Sequence, residues 1–191
     1  MNKKNKMIAE IGHPILRKKT LEVPSEKIKS TEISKIIKNL VDAMRLYNGA
    51  GLAANQIFFN WRICVLEIKN NSRYRYLPNI PLKILINPKI KILNYKYTFQ
   101  SYEGCLSVPN LRGKVERYKE IKVNYYNENA EYKSEIIKGY EAVVYQHEID
   151  HLDGVLFTDK VKDNKSLVSY RNYIKFFEEE YINSIYKKLL N

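Results

Sequence analysis

The sequence predicts an α+β fold in which mainly antiparallel sheets pack around a central helix. One segment early in the chain has apolar residues at helical spacing. Short runs rich in β-branched residues follow it, and two further helical segments come after those runs. The chain has no internal repeat and no Gly/Ser- or Pro-rich linker, so residues 1–191 are expected to form one domain.

The first helix is predicted over residues 30–47, where five apolar side chains fall on one face. They are Ile33, Ile36, Ile37, Leu40 and Met44. Asn48 and Gly49 follow and are expected to end the helix.

Strands are predicted in the middle of the chain. Residues 63–66 predict a buried strand, and residues 84–86 predict a second one that ends before Asn87 and Pro88. Residues 90–97 alternate loosely between apolar and polar types, so we expect a separate strand that pairs with the second.

A hairpin and two helices are predicted in the C-terminal half. Residues 120–126 and 132–138 predict the hairpin, with its turn at residues 127–129. The central helix is expected from Gly139 to Leu152. A C-terminal helix over about residues 166–190 is expected to close the chain. Its apolar positions are Leu167, Tyr170, Ile174, Phe177, Tyr181, Ile185 and Leu189.

Composition favours a soluble protein of a reducing compartment. Hydrophobic residues make up 45% and charged residues 28% of the chain, and no stretch reaches the roughly 18 apolar residues that a membrane helix needs. The basic residues 1–6 are not followed by an apolar signal core. Two cysteines suit a reducing cytosol. We expect a bacterial-type cytoplasm, or an organellar matrix or stroma if a transit peptide was removed.

The net charge of +12 has two interpretations. A basic surface attracts nucleic acid or another acidic assembly. Alternatively, the charge reflects compositional drift, because the chain is rich in Lys, Asn, Ile and Tyr, whose codons are A/T-rich. Lys and Arg are spread along the chain, which favours drift. No membrane and no specific nucleic-acid partner is therefore expected.

Residues 147–151, His-Glu-Ile-Asp-His, match a His-Glu-x-x-His motif. In a helix, His147 and His151 lie one turn apart on the same face, so their imidazoles can converge on one metal ion. Glu148 lies beside that face, where a carboxylate can exchange a proton with a metal-activated water.

Two histidines leave a catalytic metal site incomplete, and Cys105 is the favoured third ligand. The chain has three histidines, and the third, His13, lies far upstream in a Gly-His-Pro turn. Cys105 lies within the distinctive segment Glu-Gly-Cys-Leu-Ser-Val-Pro. A thiolate and two imidazoles leave a fourth position open for water, as a hydrolytic site requires. Cys64 lies inside an apolar strand and is expected in the core.

Residues 49–56, Gly-Ala-Gly-Leu-Ala-Ala-Asn-Gln, form a segment of small side chains. Small residues let the backbone approach a ligand closely. Gln56 ends the segment with an amide that can donate a hydrogen bond.

Together these three segments resemble the peptide deformylase family. That family pairs Gly-x-Gly-Leu-Ala-Ala-x-Gln with Glu-Gly-Cys-Leu-Ser and Gln-His-Glu-x-Asp-His-Leu, in the order found here. Residues 11–17, Ile-Gly-His-Pro-Ile-Leu-Arg, are also similar to the family's N-terminal segment, so the resemblance covers residues 8–160. Asn55 is a departure, since Pro or Thr is frequent at that position.

The resemblance implies a metal site with Cys105, His147 and His151 as ligands and a water as the fourth. It implies Fe²⁺ as the native metal, replaceable by Zn²⁺, Ni²⁺ or Co²⁺. The donor set alone would favour zinc.

The implied reaction removes the N-formyl group from the initiator methionine of nascent chains and releases formate. The side-chain amide of Gln56 and the backbone N–H of Leu106 are expected to stabilise the oxyanion. Glu148 is expected to carry the proton from water to the leaving nitrogen.

The resemblance also implies how N-formylmethionyl peptides bind. Gly51 and Gly104 match positions whose backbones pair with the extended peptide, and Arg112 is expected to contact it further along. Four residues match positions around the methionine side chain: Ala50, Tyr140, Val143 and Val144. A transient contact with the ribosome is a further expected partner.

Glu103 and Arg117 are expected to support the metal site from behind. If residues 103–107 and the segment around Arg117 are adjacent strands, the two charges meet beneath the metal. There Glu103 can accept the spare ring N–H of a ligand histidine. The alternative is a pair of unrelated surface charges.

Two other functions compete with this interpretation. The first is a metallopeptidase that takes Glu178 as third ligand, with Cys105 incidental. The second is a basic nucleic-acid- or ribosome-binding module with a structural metal site, although no recognisable nucleic-acid motif supports it.

Overall fold

The protein is described by a computed structural model over residues 7–69 and 77–190. The basic segment 1–6 and residue 191, at the ends of the expected domain, therefore lie outside the described residues. Within them, eight strands form two antiparallel sheets. The strands are β1 (Gly51–Ala53), β2 (Ile63–Ile68), β3 (Ile80–Ile92), β4 (Thr98–Cys105), β5 (Val108–Tyr118), β6 (Glu120–Tyr126), β7 (Tyr132–Lys138) and β8 (Val168–Ser169).

The larger sheet has the strand order β1-β2-β3-β6-β7, and the smaller one has the order β4-β5-β8. The helices are α1 (Thr31–Leu46), α2 (Gly139–Leu152), α3 (Tyr170–Phe176) and α4 (Glu178–Ile185). This arrangement confirms the predicted α+β class with mainly antiparallel sheets and a central helix. Among the described residues, no helix is both long enough and apolar enough to cross a bilayer.

Helices α1 and α2 cover opposite faces of the larger sheet, because the apolar side chains of strand β2 point alternately to the two faces. Ile63 and Val65 belong to the core that α1 fills, whereas Cys64 and Leu66 belong to the core that α2 fills. Helix α1 buries the five predicted apolar residues, and the hydroxyl of Ser30 accepts a hydrogen bond from the backbone N–H of Ile33 at its start. Cys64 is fully buried, which confirms its predicted place in the core.

The prediction of two separate strands at residues 84–86 and 90–97 is wrong, because strand β3 runs through both sides of Asn87 and Pro88. Its first half pairs with β2 and its second half with β6, with an irregular register between Ile86 and Lys89. Asn87 has a φ of 55°, and its side chain bonds the backbone N–H and C=O of Val23, both at 2.8 Å. The strand therefore accommodates Pro88 in a β-bulge.

The predicted C-terminal helix is interrupted, and it begins later than residue 166. Helix α3 starts at Tyr170, and Phe177 separates it from α4, after which Tyr186–Leu190 form a π-helical turn. Phe177 has a φ of −129° at the break, and the rings of Tyr173, Phe177 and Tyr181 all lie within 6 Å of Tyr102. The predicted hairpin and the bounds of α2 agree with the structure.

Candidate metal centre

The two motif histidines lie on α2, which is buried between the sheets. Most of its side chains are buried, so it is the central helix of the domain. His147 and His151 are one turn apart, and their ring centroids are 5.0 Å from each other. His151 is 1% exposed. Buried imidazoles need polar partners or a metal ion, since an unsatisfied polar group is costly in a core.

Cys105 completes a cluster with these histidines. It is the last residue of β4, and its Sγ lies 3.1 Å from Nε2 of His151. One ligand atom from each of Cys105, His147 and His151 lies within 4.8 Å of the others. In the part of the chain that the structure describes, no other set of three His, Cys, Asp or Glu residues meets this condition.

The electrostatics of the cluster suit a bound cation. Burial alone would raise the pKa of the Cys105 thiol, but the neighbouring His151 and His147 outweigh burial and hold that pKa well below its usual value. The thiolate is the form that binds metals. Nδ1 of His151 is buried and has no hydrogen-bond partner among the described residues. A thiolate and two imidazoles fit Zn²⁺ or Fe²⁺ and leave one position open.

Glu148 lies next to the cluster without joining it. Its side chain is 5% exposed, and its Oε2 has no hydrogen-bond partner among the described residues. Burial raises the pKa of Glu148 to about 7. Gly51 makes room for this carboxyl group, since a Cβ at residue 51 would lie 2.5 Å from Cγ of Glu148.

Gln56 contacts the cluster through its side-chain amide. Its Oε1 accepts a hydrogen bond from the backbone N–H of Ala53 at 2.8 Å, which fixes the orientation of the amide. The amide Nε2 then donates to Oγ of Ser107 at 3.0 Å and lies 3.5 Å from Sγ of Cys105. Leu106 follows Cys105 in the turn between β4 and β5 and lines the same pocket.

Glu103 and Arg117 meet behind the histidines. Strands β4 and β5 are adjacent, and Arg117 donates two hydrogen bonds to Glu103, at 2.6 and 2.8 Å. Glu103 also lies 2.8 Å from Nδ1 of His147, and Arg117 donates to Asp150 at 2.5 Å. Burial would raise the pKa of Glu103, but Arg117 and His147 hold it at about 2. The carboxylate is therefore ionised and can orient His147.

The pocket beside the cluster includes every candidate substrate-binding residue. These are Ala50, Gly51, Gly104, Arg112, Tyr140, Val143 and Val144. The C-terminal segment adds Tyr170 and Tyr173, which sequence reasoning did not assign to a site, and Glu178, the third ligand of the metallopeptidase alternative.

Glu178 belongs to this pocket wall and not to the ligand cluster. Its side chain is half-buried. Within the described residues, Glu178 is absent from the group of converging ligand atoms, which is formed by Cys105 and the two histidines. His13 caps a short helical turn near the N-terminus and is likewise outside the cluster.

Two supporting residues were missed by sequence reasoning. Asn55 is fully buried and donates a hydrogen bond to the C=O of His151, at the end of α2. Asp150, inside the motif itself, pairs with both Arg117 and Lys160. For Asn55, the available signal in the sequence was its departure from the family pattern.

Comparison with known proteins finds one family. The family model described as polypeptide deformylase matches residues 5–167. A peptide deformylase of Leptospira biflexa is 41% identical over 159 residues, which cover 83% of this chain and 88% of that protein. A chloroplastic peptide deformylase 1A of Solanum lycopersicum is 39% identical, over 81% of this chain and 58% of that protein.

Solved structures of the same family are similar to this chain. The Met-Ala-Ser-bound crystal structure of a class I type b peptide deformylase from Acinetobacter baumannii has a TM-score of 0.75 and 32% identity, and the match covers 81% of this chain and 96% of that one. The Thermotoga maritima peptide deformylase has a TM-score of 0.72 and 36% identity, with 83% and 98% covered.

Proposed function

This chain belongs to the peptide deformylase family, and we propose that Cys105, His147 and His151 hold the divalent metal ion with which it removes the N-formyl group of nascent polypeptides. The convergence of one thiol and two imidazoles in a buried cluster carries this proposal. We propose Fe²⁺ as the native ion. Zn²⁺, Ni²⁺ and Co²⁺ suit the same donors and would substitute for it.

The bound ion would supply a Lewis acid that activates water and polarises the formyl carbonyl. Glu148 takes up a proton and returns it to the leaving methionine nitrogen, so that formate and a free amine result. Its pKa of about 7 and its buried position support this role, because a group that titrates near neutral pH can both accept and give a proton.

Gln56 and the backbone N–H of Leu106 donate hydrogen bonds to the oxyanion that forms on the formyl group. The orientation of the Gln56 amide supports this role, since its oxygen is engaged by Ala53 and its nitrogen faces the cluster. A donor that is fixed before the reaction needs no reorganisation during it.

The substrate runs past Gly51 and Gly104, whose backbone groups pair with the extended peptide. The methionine side chain enters the pocket at Ala50, Val143 and Val144. The Met-Ala-Ser bound to the Acinetobacter relative supports a peptide of this kind.

The enzyme acts as one catalytic domain where translation begins with formylmethionine. Bacterial relatives support a bacterial-type cytoplasm, and the chloroplastic relative leaves the stroma as the alternative. The net charge of +12 supports a transient contact with the ribosome, whose surface is acidic.

A comparison of three peptides tests this function. Formyl-Met-Ala-Ser should release formate, whereas acetyl-Met-Ala-Ser and unblocked Met-Ala-Ser should stay intact. The metallopeptidase alternative predicts cleavage of the Met–Ala bond instead. Hydrolysis of that bond without release of formate would overturn the proposal.

A further inference from the structure

Arg112 is a buried cation that forms no ion pair with a carboxylate among the described residues. Its side chain is one of the few buried charged groups, at 8% exposure, and the described ion pairs do not include it. Its Nη1 donates to the C=O of Leu111 at 3.0 Å. The guanidinium lies directly on Gly104, since a Cβ at that glycine would be 1.6 Å from Nη1.

The C-terminal segment supplies the partner of this guanidinium. Cζ of Arg112 lies 4.5 Å from the ring centroid of Tyr170 and 5.9 Å from that of Tyr173. The two tyrosine rings are stacked, with an interplanar angle of 14°. An aromatic face stabilises a cation electrostatically and holds a planar guanidinium in one orientation.

Backbone pairing fixes this contact. Strand β8 pairs with β5 so that Val168 is opposite Arg112 and Ser169 is opposite Leu111. The hydroxyl of Ser169 then caps α3 by accepting a hydrogen bond from Asn172. Tyr170, the first residue of α3, is therefore held above Arg112.

Arg112 and Tyr170 stand between two cavities. Both residues line the pocket beside the metal cluster, and both line a second cavity that extends toward Met7 and Tyr47. A peptide whose first residue occupies the metal-side pocket and whose later residues enter the second cavity passes along this pair and along Cys105 and Leu106, which also line both cavities. The family match ends at residue 167, so Tyr170 lies beyond the matched region.

We propose that the C-terminal segment is part of the peptide-binding site, and that Tyr170 is a positioning residue that holds Arg112 toward the backbone carbonyls of the residues after formylmethionine. This inference rests on the proposed function, because it concerns the same substrate. Arg112 then contributes to the binding of longer peptides and not to the chemistry at the formyl group.

The test compares formyl-Met with formyl-Met-Ala-Ser as substrates of the metal-loaded enzyme. Tyr170→Ala should raise KM for the tripeptide about 3- to 30-fold, the range of a partly to fully desolvated cation–π contact. The kcat for the tripeptide and the kinetics with formyl-Met should not change. Tyr170→Phe keeps the aromatic face and should restore wild-type KM.

Two further variants make the test specific. Phe176→Ala removes an aromatic side chain from the same helix that is 60% exposed, and it should leave both substrates unaffected. Arg112→Ala should raise KM for the tripeptide, and adding Tyr170→Ala to it should have no further effect. An unchanged KM in Tyr170→Ala, an equal loss with both substrates, or additive effects in the double variant would overturn the inference.

Direct binding separates this inference from the proposed function. Calorimetry with unblocked Met-Ala-Ser and with methionine measures the contact without any turnover. If Tyr170→Ala binds Met-Ala-Ser more weakly than the wild type does, and binds methionine equally well, the inference is supported. This holds even if the wild type releases no formate, a result that would contradict only the proposed function. Equal binding of Met-Ala-Ser by wild type and Tyr170→Ala, with equal thermal unfolding midpoints, contradicts it.

Discussion

The buried pair of Glu103 and Arg117 gives the sharpest prediction about how the site is supported. Arg117 is 1% exposed and bonds two carboxylates, those of Glu103 and Asp150. Arg117→Ala leaves both without this cation, although Lys160 still contacts Asp150 at 2.9 Å. The uncompensated charge therefore falls mainly on Glu103.

Removing one partner of a buried ion pair costs about 3–5 kcal/mol, a large part of the 5–15 kcal/mol that stabilises a typical domain. Glu103 without Arg117 loses the cation that keeps its pKa low, takes up a proton more readily and orients His147 less well. Loss of such a supporting contact weakens metal affinity or activity by about 10–100-fold. Glu103→Gln should show a similar loss of metal affinity.

The assay measures urea unfolding of the chelator-treated protein and metal affinity by chelator competition, for each single variant and the double variant. The double variant should lose less than the sum of the singles, because the two side chains share one network. Arg45→Ala is the matched control, since its ion pair with Glu67 has a 54% exposed arginine side chain and should contribute only about 0–1 kcal/mol. Additivity within about 0.5 kcal/mol would refute the reasoning.

Three variants test the residues nearest the reaction. Glu148→Gln should keep a full complement of metal and lose at least about 10²–10⁴-fold in kcat, whereas loss of metal would identify Glu148 as a ligand. Gln56→Ala should lower kcat about 10²–10³-fold with a small change in KM, and an effect on KM alone would show ground-state binding instead. Gly51→Ala should displace the Glu148 carboxyl group and lower kcat by about 10²-fold with metal retained, and normal turnover would show that Glu148 tolerates the shift.

Motif spacing predicted the parts of this protein that depend on neighbours in sequence. Helical periodicity is a local property, so the bounds of α1 and α2 agree with the structure within a residue or two. The placement of His147 and His151 on one face likewise depends only on their four-residue spacing within a helix. Cys105 was found because its flanking residues are distinctive.

Contacts between distant segments explain what the sequence did not predict. The bulge at Asn87 depends on hydrogen bonds to Val23, 64 residues away. Tyr170 resembled one apolar position of a long helix, whereas the pairing of β8 with β5 turns its ring toward Arg112.

The measurement that tests the metal assignment most directly is the metal content of anaerobically purified Cys105→Ser, together with its formate release. The account predicts a folded protein that has lost most of its bound metal and nearly all activity. Cys64→Ala is the matched control, because Cys64 lies in the core and should affect neither quantity. Unchanged metal content and turnover in Cys105→Ser would contradict the assignment and favour a site completed by a glutamate.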